Sequence, residues 1–299
     1  MNSYKHNQPN QPTFDSAKKE LGEKQFNKKL QTVFGLQVLN YVKTIVINLP
    51  GSCYANCPYC IDNSLRNHCT DIKTFLASCE KTFQEFYNRT EIFIKEISIT
   101  GGSLLSNDFN MLMNMIHKYY PDAKITWNTN GILIDETYDT SYIQYINLHR
   151  NSVNDTVNKK LFQTSQPILS IDQAKLLFQN KLCLRITVDK NFDLDEYANL
   201  NISLYLNKML PETPETNQAF QNVLSKLQIS DTTDIRRRNH YLNCMYKNTP
   251  VRICLGDKEA THIPNRYPVY LNVAIIHRSG KVCGSWFEDD KLLYDPCII

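Results

Sequence analysis

Short β-branched apolar runs recur along the chain, separated by longer stretches whose apolar residues fall at helical spacing. The runs are TIVINL (44–49), IKEISIT (94–100), KITWN (124–128), YIQYINL (142–148), LCLRITV (182–188) and NISLYL (201–206). Their length and β-branched content predict strands. Helix candidates cover 71–88, 107–119, 170–180 and 193–199. Strands alternating with helices build βαβ units with right-handed crossovers, so six in succession predict an α/β fold, a partial (β/α)6 TIM-like barrel over 44–210.

The flanks read differently. Residues 1–15 are rich in Asn, Gln and Pro and have little to bury, which predicts a flexible N-terminal arm. Residues 16–43 carry Leu21, Phe26, Leu30, Phe34 and Leu36 at loosely helical spacing, an N-terminal helical segment. After 210 the rhythm changes: a helical stretch over 212–247, then VRICL, then YPVYLNVAIIHRSGKVCGSWF, which reads as a hairpin turning at Arg278, Ser279 and Gly280. Residues 211–299 are therefore a C-terminal helical and β-hairpin extension, either a separate cap or an addition to the sheet.

Composition narrows the functional classes. With 299 residues and 42% hydrophobic content the chain has enough material for a full core, which excludes disorder as its main state. The 33 basic and 30 acidic residues leave a net charge of +3, so nucleic acid is not indicated. No apolar run approaches the roughly 20 residues that span a bilayer, and the first residues lack the apolar segment of a secretion signal. The expectation is a cytoplasmic protein without a membrane partner. There thiols stay reduced, so the ten cysteines point to metal binding or catalysis before a disulfide framework.

Three of those cysteines are closely spaced. The first strand is followed by PGSCYANCPYCID, which places Cys53, Cys57 and Cys60 at C-x3-C-x2-C in the loop leaving its C-terminal end. Catalytic groups of such barrels sit at that end. Three thiolates can hold three irons of a [4Fe–4S] cube and leave the fourth iron open, whereas electron-transfer clusters use four cysteines. Zinc held by the same thiols with His68 or Cys69 is an alternative, as are three reduced core cysteines.

The spacing of Cys53, Cys57 and Cys60, with the aromatic Tyr59 before the last, resembles the signature of the radical S-adenosylmethionine (radical SAM) superfamily. The resemblance implies that the open iron chelates S-adenosylmethionine and that an electron from the cluster cleaves it to a 5′-deoxyadenosyl radical. The radical then abstracts hydrogen from a substrate, while the protein orients and shields. It also implies a reductant such as flavodoxin or ferredoxin.

Other strand ends extend the resemblance through about residue 190. Gly101 and Gly102 after the second strand permit close backbone approach, and they resemble the family's GGE element, which contacts the amino group of S-adenosylmethionine. Ser103 stands where that element has its acid, which passes amino-group binding to backbone carbonyls and the Ser103 hydroxyl. Asn128, Asn130 and Gly131 resemble a TNG segment, with amides suited to ribose or substrate hydroxyls. His149 and Arg150 after the fourth strand are similar to a segment that faces the cofactor's carboxylate or the substrate. Arg185, a charge in an apolar strand, needs a ligand or an acidic partner such as Asp189. Each of these residues also reads as an ordinary solvated strand end.

The remaining cysteines, Cys244, Cys254, Cys283 and Cys297, lack a C-x2-C pair and read as structural thiols rather than an auxiliary cluster. Trp286, Phe287, Glu288, Asp289 and Asp290 offer a substrate groove, or the hairpin carrying them closes the barrel's edge. Arg236, Arg237 and Arg238 read as a solvated helix face. The functional expectation is hydrogen abstraction from a peptide, including one made ribosomally and then modified. A nucleotide or other small-molecule substrate, glycyl-radical activation of a partner enzyme and a non-catalytic zinc module are the alternatives.

Overall fold

The computed structural model describes residues 42–51, 53–57, 60, 71–89, 93–209, 213–229, 241–254, 273–284 and 292–294. The six expected strands are present as β1 (Thr44–Leu49), β2 (Glu96–Gly101), β3 (Lys124–Thr129), β4 (Tyr145–His149), β5 (Leu182–Val188) and β6 (Ser203–Lys208). The C-terminal third adds β7 (Tyr241–Tyr246), β8 (Thr249–Cys254), β9 (Val273–Ile276), β10 (Val282–Cys283) and β11 (Leu292–Tyr294). Helices are α1 (Ile72–Tyr87), α2 (Ser106–Tyr119), α3 (Asp155–Phe162), α4 (Ile171–Phe178) and α5 (Pro214–Lys226).

All the strands join one 11-stranded sheet in the order β11-β10-β9-β1-β2-β3-β4-β5-β6-β8-β7. From β9 across to β8 every pairing is parallel. The antiparallel pairs lie at the two edges, β7 with β8 and β10 with both β9 and β11. This is the partial TIM-like barrel, enlarged by a parallel strand on each side. The C-terminal third is thus continuous with the barrel sheet, and the turn of its β9–β10 hairpin falls where expected, at Arg278–Gly280.

Alternation along the strands separates two faces. In β5, Leu182, Leu184, Ile186 and Val188 are buried while Cys183, Arg185 and Thr187 on the opposite face are only half-buried. The apolar face packs against the helices through residues such as Phe75, Phe83 and Phe86 of α1, Phe109 and Ile116 of α2, and Phe178 of α4. Burying each such side chain contributes about 1.5–3 kcal/mol. The opposite face lines the concave lumen and is largely polar by the same alternation, with Asn48, Ser98, Asn128, Asn147, His149, Arg185, Tyr205 and Arg252.

Capping fixes the helices in place. The Asp71 carboxylate accepts from the Thr74 amide at 3.0 Å, and reciprocal capping boxes start α4 (Ser170 with Gln173) and α5 (Thr213 with Thr216).

Several expectations are corrected. The helical stretch over 212–247 ends at Lys226: Gln228 turns left-handed at φ +56° and the Ile229 amide closes on the Leu224 carbonyl at 2.9 Å. Within the same stretch, Tyr241–Tyr246 is a strand whose Leu242, Cys244 and Tyr246 pack on the core at period 2. The helix expected over 193–199 is a single 3₁₀ turn, Leu194–Tyr197. The fourth strand starts at Tyr145 rather than 142. Helix α3, with only Val157, Leu161 and Phe162 as large apolar residues, was not anticipated. The expected arm over 1–15, residues 16–41 of the N-terminal helical segment, Arg236–Arg238, Trp286–Asp290 and Cys297 lie outside the described residues.

Candidate active site

Every proposed site residue among those described comes from the C-terminal end of a parallel strand or the loop leaving it, except Arg185, which lies midway along β5. The cysteine loop follows β1, and Cys53, Cys57 and Cys60 are each half-buried and form no disulfide. Tyr59, His68 and Cys69 lie outside the described residues. The loop is pinned from the side by α3. The Asn56 amide donates to the Phe162 carbonyl at 2.7 Å, and the Asn56 side-chain amide donates to Gln163 Oε1 at 3.0 Å. Beneath it a small apolar cluster of Ala55, Ile132 and Phe162 packs against Cys53 and Cys57. Helix α3 is therefore a support for the cysteines.

The glycine pair after β2 packs against the start of the same loop. A Cβ on Gly102 would lie 2.6 Å from the carbonyl oxygens of both Pro50 and Gly51, and one on Gly101 only 2.0 Å from Asn48 Oδ1. Any side chain there would push the two loops apart. Ser103 follows, half-buried. Under the pair, fully buried Asn48 accepts from Arg278 Nε at 3.5 Å, while its own Nδ2 has no partner among the described residues. Arg278 itself is only 3% exposed although it sits in a hairpin turn. Reading that turn as a simple connection missed a cation placed beside the first strand.

Within the lumen a chain of polar contacts crosses six strands. Asn128 Nδ2 donates to Ser98 Oγ at 3.1 Å, and its Oδ1 accepts from Asn147 Nδ2 at 2.9 Å and from an Arg185 Nη at 3.0 Å. The Arg185 guanidinium lies 5.2 Å from the Tyr205 ring centroid, and Arg252 of β8 approaches the same ring at 5.8 Å. His149, Arg185, Tyr205 and Arg252 are in register across β4, β5, β6 and β8. Arg185 makes no ion pair among the described residues, so Asp189 is not its partner; a neutral amide and a ring hold it. His149 Nε2 is 2.9 Å from Asn151 Oδ1.

Arg150 belongs to a different layer. It is 0% exposed and donates to the carbonyls of Asn130 at 2.6 Å, His149 at 2.7 Å and Leu169. Burial pulls its pKa down to about 10, which leaves it charged at neutral pH. Its two Nη nitrogens are thus engaged by backbone carbonyls, while its Nε is buried without a hydrogen-bond partner among the described residues. Its neighbour Asn130 directs its side-chain nitrogen to Cys53 Sγ at 3.4 Å.

Three half-buried, undisulfided thiols in one loop have the donor chemistry of an iron–sulfur cluster, which takes thiolate ligands, and thiolates also suit zinc. Among the described residues no three Cys, His, Asp or Glu side chains are gathered into a metal site. The same finding applies to Cys244, Cys254 and Cys283, which form no such group either.

No protein-family model and no curated protein sequence matches the chain. Solved structures do. The chain is similar to Streptococcus suis SuiB bound to S-adenosylmethionine, at 13% identity and a TM-score of 0.51, over 96% of this chain and 66% of that one. It is equally similar to SuiB bound to its precursor peptide SuiA, at 13% identity and a TM-score of 0.50, over 87% of this chain and 63% of that one. A further SuiB structure gives 14% identity and 0.50 over 88% and 65%. The chain thus spans just under two thirds of the length of these neighbours. The barrel therefore shares the fold of SuiB. Among the described residues no helix is long and apolar enough to cross a membrane.

Proposed function

We propose that this protein is a radical SAM enzyme in which Cys53, Cys57 and Cys60 bind three irons of a [4Fe–4S] cluster and the lumen below receives S-adenosylmethionine and a peptide. When bound, the cluster would supply the electron for reductive cleavage of S-adenosylmethionine, the source of the radical that would abstract hydrogen from the substrate. The chain's own residues bind, orient and exclude water. The single observation carrying this reading is the placement of three undisulfided thiols at the mouth of a polar, cation-bearing lumen in a barrel that shares the fold of SuiB.

The residues divide the work by position. Gly101, Gly102 and Ser103 offer backbone carbonyls and a hydroxyl beside the cysteine loop for the amino group of S-adenosylmethionine. Asn128, His149 and Arg185 line the wall where its ribose and carboxylate would lie. Tyr205 and Arg252 extend that wall toward β8, where a guanidinium pair on one ring suits a carboxylate of the substrate. A peptide is favoured because SuiB, the neighbour of like fold, has been solved with a precursor peptide. Flavodoxin or ferredoxin is the class of reductant such a site needs.

Anaerobic reconstitution tests the reading. The expected result is a brown protein with about four irons and four sulfides per chain that converts S-adenosylmethionine to 5′-deoxyadenosine when reduced by dithionite, with both properties lost in Cys57→Ala. A colourless protein holding stoichiometric zinc, or a Cys57→Ala variant that still cleaves S-adenosylmethionine, overturns it.

A further inference from the structure

Asn130 follows β3, and its side chain is fixed from both ends. Its Oδ1 accepts from the Ile132 amide at 3.1 Å, which leaves the amide nitrogen as the atom facing Cys53 Sγ at 3.4 Å. The orientation of the amide is thus set by a partner other than the sulfur. An Asn side chain has two donors and one acceptor oxygen, and here only the nitrogen can serve the thiol side.

The backbone beneath is as firmly held. Arg150, fully buried, donates to the Asn130 carbonyl at 2.6 Å and braces it against the carbonyls of His149 and Leu169. Gly131 then turns at φ +69°, and its carbonyl accepts from the Leu169 amide at 2.8 Å. A Cβ at that glycine would lie 2.7 Å from a Leu148 methyl and 2.9 Å from an Arg150 Nη. A buried cation, a left-handed glycine and one side-chain hydrogen bond thus present one N–H to one sulfur.

We infer that Asn130 is a positioning residue for the cluster: its amide donates a hydrogen bond to the Cys53 thiolate, orienting that ligand and raising the cluster's reduction potential. The inference rests on the cluster proposed above and assigns Asn130 a role apart from ribose or substrate hydroxyls. A donor at a ligating sulfur draws electron density from the sulfur–iron bond, and this favours the reduced cluster, which carries one more negative charge. The Arg150 shelf matters because such an effect depends on a fixed donor distance.

The test compares the reconstituted wild type with Asn130→Asp and Asn130→Leu. The aspartate keeps the shape and the acceptor for Ile132 but donates nothing at neutral pH; the leucine removes both functions. Redox titration followed by electron paramagnetic resonance is expected to give more negative midpoints for both variants, with Asn130→Asp the more negative because its carboxylate adds charge. Electron–nuclear double resonance is expected to show an exchangeable proton coupled to the cluster in the wild type and missing from both. If the leucine variant fails to hold a cluster, the aspartate variant decides alone. Unchanged midpoints with the coupled proton retained overturn this inference and leave the proposed function standing. A wild type that assembles no four-iron cluster overturns both.

Discussion

Arg150 directly follows β4 and Arg185 lies on the neighbouring β5, with the Arg150 amide donating to the Arg185 carbonyl at 3.1 Å, yet their side chains serve opposite purposes. Arg150 shares the parity of Ile146 and Leu148, so it enters the packed layer, where backbone carbonyls accept from its Nη nitrogens. Arg185 shares the parity of Cys183 and Thr187, so it enters the lumen, where a neutral amide and a tyrosine ring hold it. One guanidinium is tied into the packed layer and the other faces the lumen. The difference teaches that in a parallel barrel the face on which a charge falls decides its role, not its nearness to the site.

The largest expected effect breaks the structural half of that comparison. Arg150→Leu leaves three carbonyls facing an apolar side chain, and orphaned buried groups cost about 1–3 kcal/mol each. Denaturant unfolding is expected to show a loss of about 3 kcal/mol or more. Unchanged stability would mean that those carbonyls find other partners. Phe162→Ala removes the floor of the cysteine loop, at about 3 kcal/mol of stability, and is expected to make the reconstituted cluster bleach faster in air than in wild type.

Arg185→Gln sharpens the other half. Stability is expected to stay within about 1 kcal/mol of wild type, since the side chain is half-buried, while affinity for S-adenosylmethionine in equilibrium dialysis falls roughly tenfold, as loss of one charge-assisted hydrogen bond predicts. Equal affinity would remove Arg185 from the cofactor wall.

The smallest effect is on the surface, far from both arginines. Lys226, Lys247 and the Tyr246 hydroxyl hold the Asp195 carboxyl well below the usual carboxylate range. Because the folded state depresses this pKa, its contribution is present above the ordinary carboxylate range and is lost as pH falls through and below it. The pair geometry is exposed, so the contribution is screened and small. In thermal melts from pH 6 to pH 3, Asp195→Asn is expected to show a slightly shallower acid decline than wild type; an identical slope would show the network to be inert.

The barrel strands were legible because each couples β-branched content to a clean inside–outside alternation, as in LCLRITV. The C-x3-C-x2-C spacing singled out the loop after β1 for a chemical reason, the need of the proposed cluster for three thiolates. Strand β7 was hidden because Asn243 and Met245 blur the alternation of YLNCMY beside a helical neighbour. Helix α3 was hidden because DTVNKKLF has a thin apolar stripe, and its purpose, seating Asn56 and Ala55, concerns residues a hundred positions earlier. The exchange of roles between Arg150 and Arg185 was readable in principle from strand parity: Ile146, Leu148 and Arg150 form one alternating set, and Cys183, Arg185 and Thr187 another. The buried Arg278 against Asn48 had no local signal, because it depends on β9 lying beside β1.

That last pairing reaches into the chain's own synthesis. Strand β1 receives its parallel neighbour β9 only after the ribosome has travelled from residue 49 to residue 273. At translation speeds of about 5–20 residues per second, the cysteine loop waits beside an unsealed strand for roughly ten seconds or more. If the loop holds the proposed cluster, a carrier delivering iron and sulfide would meet a complete mouth only near the end of translation, and assembly of that centre would belong to the finished chain.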